Sequence, residues 1–289
     1  DPSILPTFLL SQFARREVKV ALSGDGADEL FCGYAPFKAV KFLFILALFP
    51  RVFGNFITNV TESIPSKDSY MSLHFLIKHV SRGLGWPSYQ QVFRWMSPLS
   101  DRNISYILNQ ETAAKMDVKN TWDNLLKNNN YENKDITNIL SKQFQEFYLP
   151  NDILTKVDRA SMFNSLEVRS PFLAKSIVNF SNTLPNEFKV KNNQTKVILR
   201  QIASNILPKN ISSRKKHGFA IPLAQMIRGP LKEKIEDTLL SNNILISRYF
   251  NKEKLEILLK DHSRGIDNRK PIWAIYMLYK NIERLLKCT

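Results

Sequence analysis

The stretch LSGDGADELFCGY, residues 22–34, places glycines, two aspartates and a glutamate on one bend directly behind a short apolar run. That run, EVKVALS at 17–23, alternates and is rich in valine, which predicts a short β-strand ending at Ser23. A glycine-rich turn follows, and a helix is expected to begin near Asp28. Ligands of open α/β sheets bind beyond the carboxyl ends of strands, so this turn is the predicted position of a nucleotide or acid substrate.

Two interpretations of the acidic residues in this turn stay open at the level of residues alone. Gly24 and Gly26 permit positive φ and close backbone approach, so turn amides can point at an anion. In the structural interpretation, Asp28 and Glu29 stabilise the first turn of a helix through its dipole. In the functional one, Asp25 accepts a proton and Asp28 supplies an oxygen ligand to Mg²⁺ bridging phosphates.

The rest of the chain is predominantly helical by its periodicity. Apolar residues recur three or four apart in most segments after residue 36, including QQVFRWM, ILSKQFQEFY, ILTKVDRASM, KVILRQIASNIL, LKEKIEDTLL and IWAIYMLYKNIERLL. The predicted fold class is therefore α/β, mainly helical with a small parallel sheet. A lone strand is unstable, so its partners either lie within the segments read as helical or belong to sequence before Asp1.

The longest apolar run, 42–49, is followed by Pro50 and is far shorter than the roughly 20 residues of a bilayer-spanning helix. It is predicted to be a buried helix, with an interfacial membrane helix as the alternative. We expect no membrane partner.

Composition favours a globular protein in a reducing setting. The 289 residues fit one large domain or two small ones. Two cysteines, with no metal-type spacing among them and the four histidines, predict a cytoplasmic location.

The net charge of +15 suits either a nucleic acid or a polyphosphate substrate, but the basic residues are scattered and carry no nucleic-acid motif. Nucleic-acid binding is the function we rank last.

Two further segments combine charge with turn residues. In 148–173, residues 150–152 predict a helix start, and the charges after it suit an ion-pair network: Asp158, Arg159, Glu167 and Arg169. In RKKHGFAIPL, 214–223, four basic residues flank Gly218. This second segment is either a solvated basic loop or a hinged loop whose lysine closes over phosphates. The polar run 128–137 predicts a surface loop.

The order of these blocks resembles the C-terminal synthetase domain of the glutamine-dependent asparagine synthetase family. SGDGADELFCGY, LPNDILTKVDRASMFNSLEVRSPFL, KVILRQIASNILP, RKKHGFAIPLAQMIRGPL and NRKPIWAIYMLY carry the resemblance over nearly the whole chain. It implies an ATP-pyrophosphatase fold, with the strand and turn in 1–35 and a mainly helical region in 36–289. It also implies Mg·ATP-dependent activation of an aspartate-like acid as an acyl-adenylate, which ammonia from a glutaminase domain then attacks.

The resemblance assigns roles to five positions of the turn. Ser23, Gly24 and Gly26 stand where the backbone meets the nucleotide. Asp25 occupies the place of a glutamate suggested to accept a proton from the attacking amine, and Asp28 matches a Mg²⁺-binding aspartate.

Outside the turn, Lys216 matches a mobile-loop lysine thought to stabilise charge at phosphorus, and Arg214 lies beside it. Lys215 is the alternative if the loop register shifts by one. Asp158 falls on a helix that lines the site in the family.

The departures from the family pattern concern the phosphate site and two single residues. No Ser-Gly-Gly-x-Asp-Ser pyrophosphate loop and no N-terminal cysteine nucleophile occur in this sequence. We therefore expect the bare chain not to turn over ATP, and the rest of the sheet to precede Asp1; a non-catalytic scaffold is the alternative. Cys32 replaces a usual glycine, which predicts altered packing only. Ala174 replaces an aspartate, which predicts a lost helix N-cap. A homodimer follows only from the resemblance.

Overall fold

The computed structural model describes residues 1–64, 73–126, 135–212, 218–219, 221–241 and 244–288. In these residues the α-helices are α1 Ile4–Ala14, α2 Ala27–Leu30, α3 Val40–Ala47, α4 Arg51–Ser63, α5 Leu73–Ser81, α6 Ser88–Met96, α7 Asp101–Ile107, α8 Gln110–Lys115, α9 Val118–Leu126, α10 Ile136–Gln143, α11 Thr155–Phe163, α12 Lys175–Thr183, α13 Val197–Ile206, α14 Lys209–Ser212, α15 Leu223–Arg228, α16 Lys232–Leu239, α17 Ile244–Tyr249, α18 Lys252–Ser263 and α19 Arg269–Cys288. A π-helix spans Phe144–Leu154, and 3₁₀ helices span Ala35–Ala39, Pro171–Leu173 and Asn186–Phe188. The strands are β1 Val20–Leu22, β2 Glu167–Arg169, β3 Val190–Lys191 and β4 Gln194–Thr195.

The chain divides into two compact units. The first unit comprises Asp1–Leu43 and Tyr131–Ile221, and the second comprises Phe44–Asn130 and Pro222–Thr289. All four strands lie in the first unit. Among the described residues of the second unit, the regular elements are helices joined by turns and loops.

The partner of the predicted strand lies within this chain. β1 pairs in parallel with β2, with Val20 opposite Glu167 and Leu22 opposite Arg169. The mainly helical α/β class with a small parallel sheet is therefore confirmed. The sequence predicts an ion-pair network that includes Glu167 and Arg169 but predicts no strand there. The two residues do pair with each other, at 2.7 Å, from exposed positions on β2.

Helical periodicity located most helices well. α6, α10, α11, α13, α16 and α19 all fall on predicted segments, and α2 begins at Ala27 as expected. In the second unit, α19 buries residues at helical spacing, including Ile272, Tyr276 and Tyr279. This face packs against α15, α16 and α18.

The predicted helix start at 150–152 is wrong. Pro150 lies inside the π-helix, which continues without a break from α10 into α11. Proline lacks the N–H of an α-helical hydrogen bond, and its ring clashes with the preceding turn, so the helix widens rather than ends. The Thr155 hydroxyl donates to the backbone oxygen of Pro150 at 2.7 Å.

The apolar run 42–49 is helical, but the expectation that it is buried is wrong. In α3 only Val40 and Leu43 are buried. Phe42 and Phe44 are 60% and 74% exposed, respectively. The helix thus contributes one narrow stripe to the core.

One helical stretch, Ala27–Ala47, is long and apolar enough to cross a membrane by length and composition alone. It passes this test only when consecutive helical pieces are counted together, because α2 ends at Leu30 and a 3₁₀ helix precedes α3. It also contains the buried Glu29. Core helices of soluble proteins pass the same test, so the stretch carries no membrane assignment.

Ala174 occupies the N-cap of α12, and no side chain caps that end. Ala174→Asp is expected to raise the free energy of unfolding by about 1 kcal/mol, because a carboxylate accepts hydrogen bonds from the first-turn amides and interacts favourably with the helix dipole. Denaturant unfolding measures the change. Ala174→Val, which adds no acceptor, serves as the control, and an equal gain in that variant would contradict the capping explanation.

Candidate functional site

The turn that follows β1 lies at the carboxyl edge of the parallel sheet. The backbone N–H of Ser23 donates to the oxygen of Arg169 at 2.8 Å, which extends the pairing one residue beyond β1. The hydroxyls of Ser23 and Ser170 then meet at 2.9 Å. Both strands therefore end at the same place, where ligands of parallel sheets bind. Ser170 was not singled out from the sequence, although it follows β2 as Ser23 follows β1.

The two glycines of the turn differ in what they require. Gly26 has φ of +88°, and a Cβ there would lie 2.3 Å from a methyl carbon of Leu173. Glycine is therefore needed at this position for conformation and for space. Gly24 is exposed, has no positive φ, and would place a Cβ more than 4 Å from other groups. Of the two glycines that permit positive φ, Gly26 adopts it and Gly24 does not.

Asp28 forms an ion pair with Lys196, whose Nζ lies 3.0 Å from Asp28 Oδ1. Lys196 immediately precedes α13 and has φ of +55°. Both side chains are about one-quarter exposed, at 22% and 24%. The carboxylate predicted to face a metal thus already faces a cation. Sequence reasoning missed Lys196, because only the fold brings it to the turn; its place at the start of the KVILRQ block was the available signal.

Gly33 leaves room for this ion pair. A Cβ at Gly33 would lie 1.9 Å from Asp28 Oδ1 and 2.2 Å from Lys196 Cε. Gly33→Ala is expected to displace both side chains and to lower the free energy of unfolding by about 1–3 kcal/mol, the usual cost of overpacking. Denaturant unfolding measures it. Gly24→Ala is the matched control and should leave stability nearly unchanged; equal losses in both variants would contradict the steric argument.

Glu29 anchors the short helix α2 in the core. Its carboxylate accepts a hydrogen bond from the Tyr34 hydroxyl, and its backbone oxygen accepts one from Ser141 at 3.1 Å. Burial raises the pKa of Glu29, and the neighbouring charges of Asp28 and Asp25 add to this effect. The Tyr34 ring stacks on Phe144 with centroids 4.9 Å apart. Glu29 therefore pairs within the core, and its partner Tyr34 ties the turn to the π-helix.

Cys32 is a fully buried thiol in the left-handed region, with φ of +55°. Glycine adopts this conformation without strain, so the departure from the family residue carries a backbone cost. Burial raises the pKa of the Cys32 thiol to about 12, and the nearby Lys189 only partly opposes this.

Because the thiolate is the reactive form, Cys32 is expected to resist alkylation at pH 8. We predict labelling at least about a hundred-fold slower in the folded protein than in denaturant. A Cys288→Ser background makes Cys32 the only thiol, and mass spectrometry follows the reaction. Rapid labelling of the folded variant would contradict the assigned burial.

The remaining predicted site residues divide into three groups. Asp25 is half-buried in the turn, close enough for its charge to act on Glu29. Asp158 is exposed on α11, and its side chain has no hydrogen bond or ion pair with other described residues. Lys216, Lys215 and Arg214 lie outside the described residues, as does most of the predicted loop 128–137.

A protein-only metal centre is not assembled here. Among the residues that the structure describes, no group of three or more His, Cys, Asp or Glu side chains is placed to hold a metal ion. The turn instead presents Asp25 and the ion pair of Asp28 with Lys196. Such a turn suits a ligand that brings its own phosphate oxygens.

The chain matches the asparagine synthase family over residues 1–283. It is similar to asparagine synthetase [glutamine-hydrolyzing] 1 of Bacillus subtilis, with 31% identity over 98% of this chain and 43% of that relative. It is also similar to the putative asparagine synthetase [glutamine-hydrolyzing] of Mycobacterium tuberculosis strain H37Rv, with 26% identity over 98% of this chain and 42% of that relative. The chain thus spans less than half the length of these curated relatives. By the extent of the family match, it belongs to the asparagine synthase family.

Proposed function

We propose that this protein takes part in ATP-dependent amide synthesis, with the turn at 23–28 as the place where ATP and an acid substrate meet. The observation that carries the proposal is the position of Asp25 and Asp28 at an edge where two parallel strands end, with Asp28 paired to Lys196. Family membership supports the reaction class. The account assigns residues 1–289 to the C-terminal part of a synthetase domain with an ATP-pyrophosphatase fold.

In the first step, a carboxylate oxygen of the acid attacks the α-phosphorus of ATP, and the bond to pyrophosphate breaks. The backbone at the half-buried Ser23 and the exposed Gly24 positions the nucleotide at the sheet edge, and Gly26 supplies the positive φ of the turn. Lys216, with Arg214 beside it, stabilises negative charge that develops at phosphorus. We include Asp158 on the proposal that its helix, α11, lines the site when the nucleotide is bound.

Asp28 would hold Mg²⁺ in this step. The fit is reasonable, because Asp28 already faces an ammonium at 3.0 Å and Mg²⁺ in nucleotide sites takes one or two carboxylates together with phosphate oxygens. The ion would neutralise charge on the phosphates of ATP. With Asp28 on the ion, the ammonium of Lys196 would be available to a phosphate oxygen of ATP.

In the second step, ammonia attacks the acyl carbon, and the bond to AMP breaks. The attacking nitrogen must lose a proton, and Asp25 accepts it. The product is the amide of the acid. The proposed acid is aspartate or a close relative, and the proposed ammonia source is a glutaminase domain.

The experiment is to incubate the native polypeptide with Mg·ATP, L-aspartate and ammonium, and to quantify nucleotide and phosphate products. The proposal expects AMP and pyrophosphate in equal amounts, dependent on the acid. ADP and phosphate would contradict activation as an adenylate. No acid-dependent product from a folded native polypeptide would favour the non-catalytic scaffold.

A further inference from the structure

A basic cavity lies entirely within the second unit, whereas the proposed nucleotide turn belongs to the first unit. It has a volume of about 350 Å³. Its walls come from α4, α5, α7, α18 and the start of α19, with the loops before α7 and before α19. This volume lies within the range of roughly 300–1,000 Å³ that small-molecule sites occupy.

The charges that line the cavity are unbalanced. Six basic residues line it against three carboxylates. Two of the carboxylates are already paired: Glu62 with Arg82 at 2.7 Å and Asp267 with Arg269 at 2.7 Å. Asp261 is the single carboxylate of the lining that is left. Four cations therefore have no ion pair with a carboxylate among the described residues: Lys78, Arg102, Lys254 and Lys270.

Two of these cations are lysines in the wall, of which Lys78 is buried and Lys270 is half-buried. Lys78 is only 7% exposed, and its Nζ donates one hydrogen bond, to the backbone oxygen of Asp267 at 3.1 Å. An ammonium has three N–H donors, so two remain for other acceptors. Burial lowers the pKa of Lys78, and the neighbouring Arg82 adds to this effect.

Lys270 is held by a neutral histidine. The Nδ1 of His79 lies 2.8 Å from the oxygen of Phe75 and must donate to it, so its Nε2 carries a lone pair. Lys270 Nζ donates to that Nε2 at 3.2 Å. Burial, with Lys270 nearby, lowers the pKa of His79 to about 2, which keeps the ring neutral. Burial likewise lowers the pKa of Lys270 to about 8. The imidazole orients the ammonium without neutralising it.

Arg82 adds a third buried donor set to the same wall. Its side chain is 5% exposed; one terminal nitrogen binds Glu62, and the other donates to the oxygen of Ser97 at 2.8 Å. Its Nε is buried and has no hydrogen-bond partner in the structure. This enclosed N–H is not reachable from the cavity, so Arg82 contributes its positive charge to the wall rather than a free donor.

We propose that this cavity binds a small oxyanion with two or more negative charges, of the phosphate-ester or polycarboxylate class. The buried side chains of Lys78 and Arg82 and the half-buried Lys270 form its floor, and Arg102 and Lys254 complete it. Such a ligand supplies the negative charge and the acceptor oxygens that this wall lacks. The site goes beyond the proposed amide synthesis, since none of its residues belongs to the nucleotide turn.

The test is isothermal titration calorimetry of the protein with citrate and with inorganic phosphate, at 0.15 M salt so that diffuse attraction to the net charge is screened over about 8 Å. The proposal expects saturable binding of at least one probe. Lys270→Met and Lys78→Met, which keep side-chain length and remove a charge, are each expected to weaken binding at least tenfold.

Lys260→Gln is the matched control. Lys260 lies on α18 but is 62% exposed and pairs with Glu256, so this variant removes the same charge outside the cavity and should bind normally. Equal weakening in all three variants, or no binding by the wild-type protein, would overturn the proposal. If one cavity variant fails to fold in a thermal melt, the other variant and the wild-type titration still decide. Neither probe requires ATP, so the outcome is independent of the amide-synthesis assay.

Discussion

Asp28→Asn is expected to reduce acid-dependent ATP–pyrophosphate exchange in the native polypeptide by about a hundred-fold or more. Removing one group that stabilises charge around a reacting phosphate typically costs about 10²–10³ in rate. The substitution keeps the size of the side chain and removes the charge that faces Lys196 at 3.0 Å. Exchange of labelled pyrophosphate into ATP measures the first step alone, without ammonia.

The control for this prediction is Lys196→Met. If Asp28 binds the nucleotide through Mg²⁺, loss of the lysine leaves the carboxylate in place. The exchange rate should then fall by no more than about tenfold, which corresponds to roughly 1.4 kcal/mol. If Asp28 matters only as half of an ion pair, both variants should lose exchange equally. Equal losses would therefore contradict the assigned role.

Asp25→Asn should separate the two chemical steps. Acid-dependent exchange is expected to persist, because forming the adenylate requires no base at Asp25. Amide formation from ammonia is expected to fall by about 10²–10⁴, the usual contribution of a positioned general base. Product analysis with ammonium as the nitrogen source measures the second step.

Asp25→Glu provides the matched variant, since glutamate stands at this position in the family pattern. It should retain most amide formation, because the carboxylate remains and gains one methylene. Loss of exchange in Asp25→Asn, in step with amide formation, would contradict a role confined to the amine. Full amide formation by Asp25→Asn would contradict the proposal that Asp25 is the general base.

The sequence predicted those parts of the first unit that depend on local pattern. The valine-rich strand, the turn and the start of α2 at Ala27 follow one another within about a dozen residues, so their signals reinforce each other. Gly26 was identified for its conformation, and the structure gives it φ of +88°. The missing helix N-cap at Ala174 was also predictable from the sequence, because an N-cap involves only the next few backbone amides.

Other features depend on contacts between residues distant in sequence. β2 has only three residues, two of them charged, and becomes a strand because β1 pairs with it across 147 positions, as the Ser23–Ser170 contact shows. Lys196 reaches Asp28 only after the chain has folded. Pro150 looked like a boundary because an α-helix excludes it, whereas a π-helix tolerates it through a wider turn.

The central claim is that ATP and the acid meet at the carboxyl edge of β1 and β2. A crystal structure of the native polypeptide soaked with AMP tests it most directly, because AMP is the nucleotide product of the proposed reaction. The account predicts AMP at the turn, against the backbone of Ser23 and Gly24 and within reach of Asp28. AMP bound elsewhere, including the basic cavity of the second unit, with the turn left empty, would contradict it.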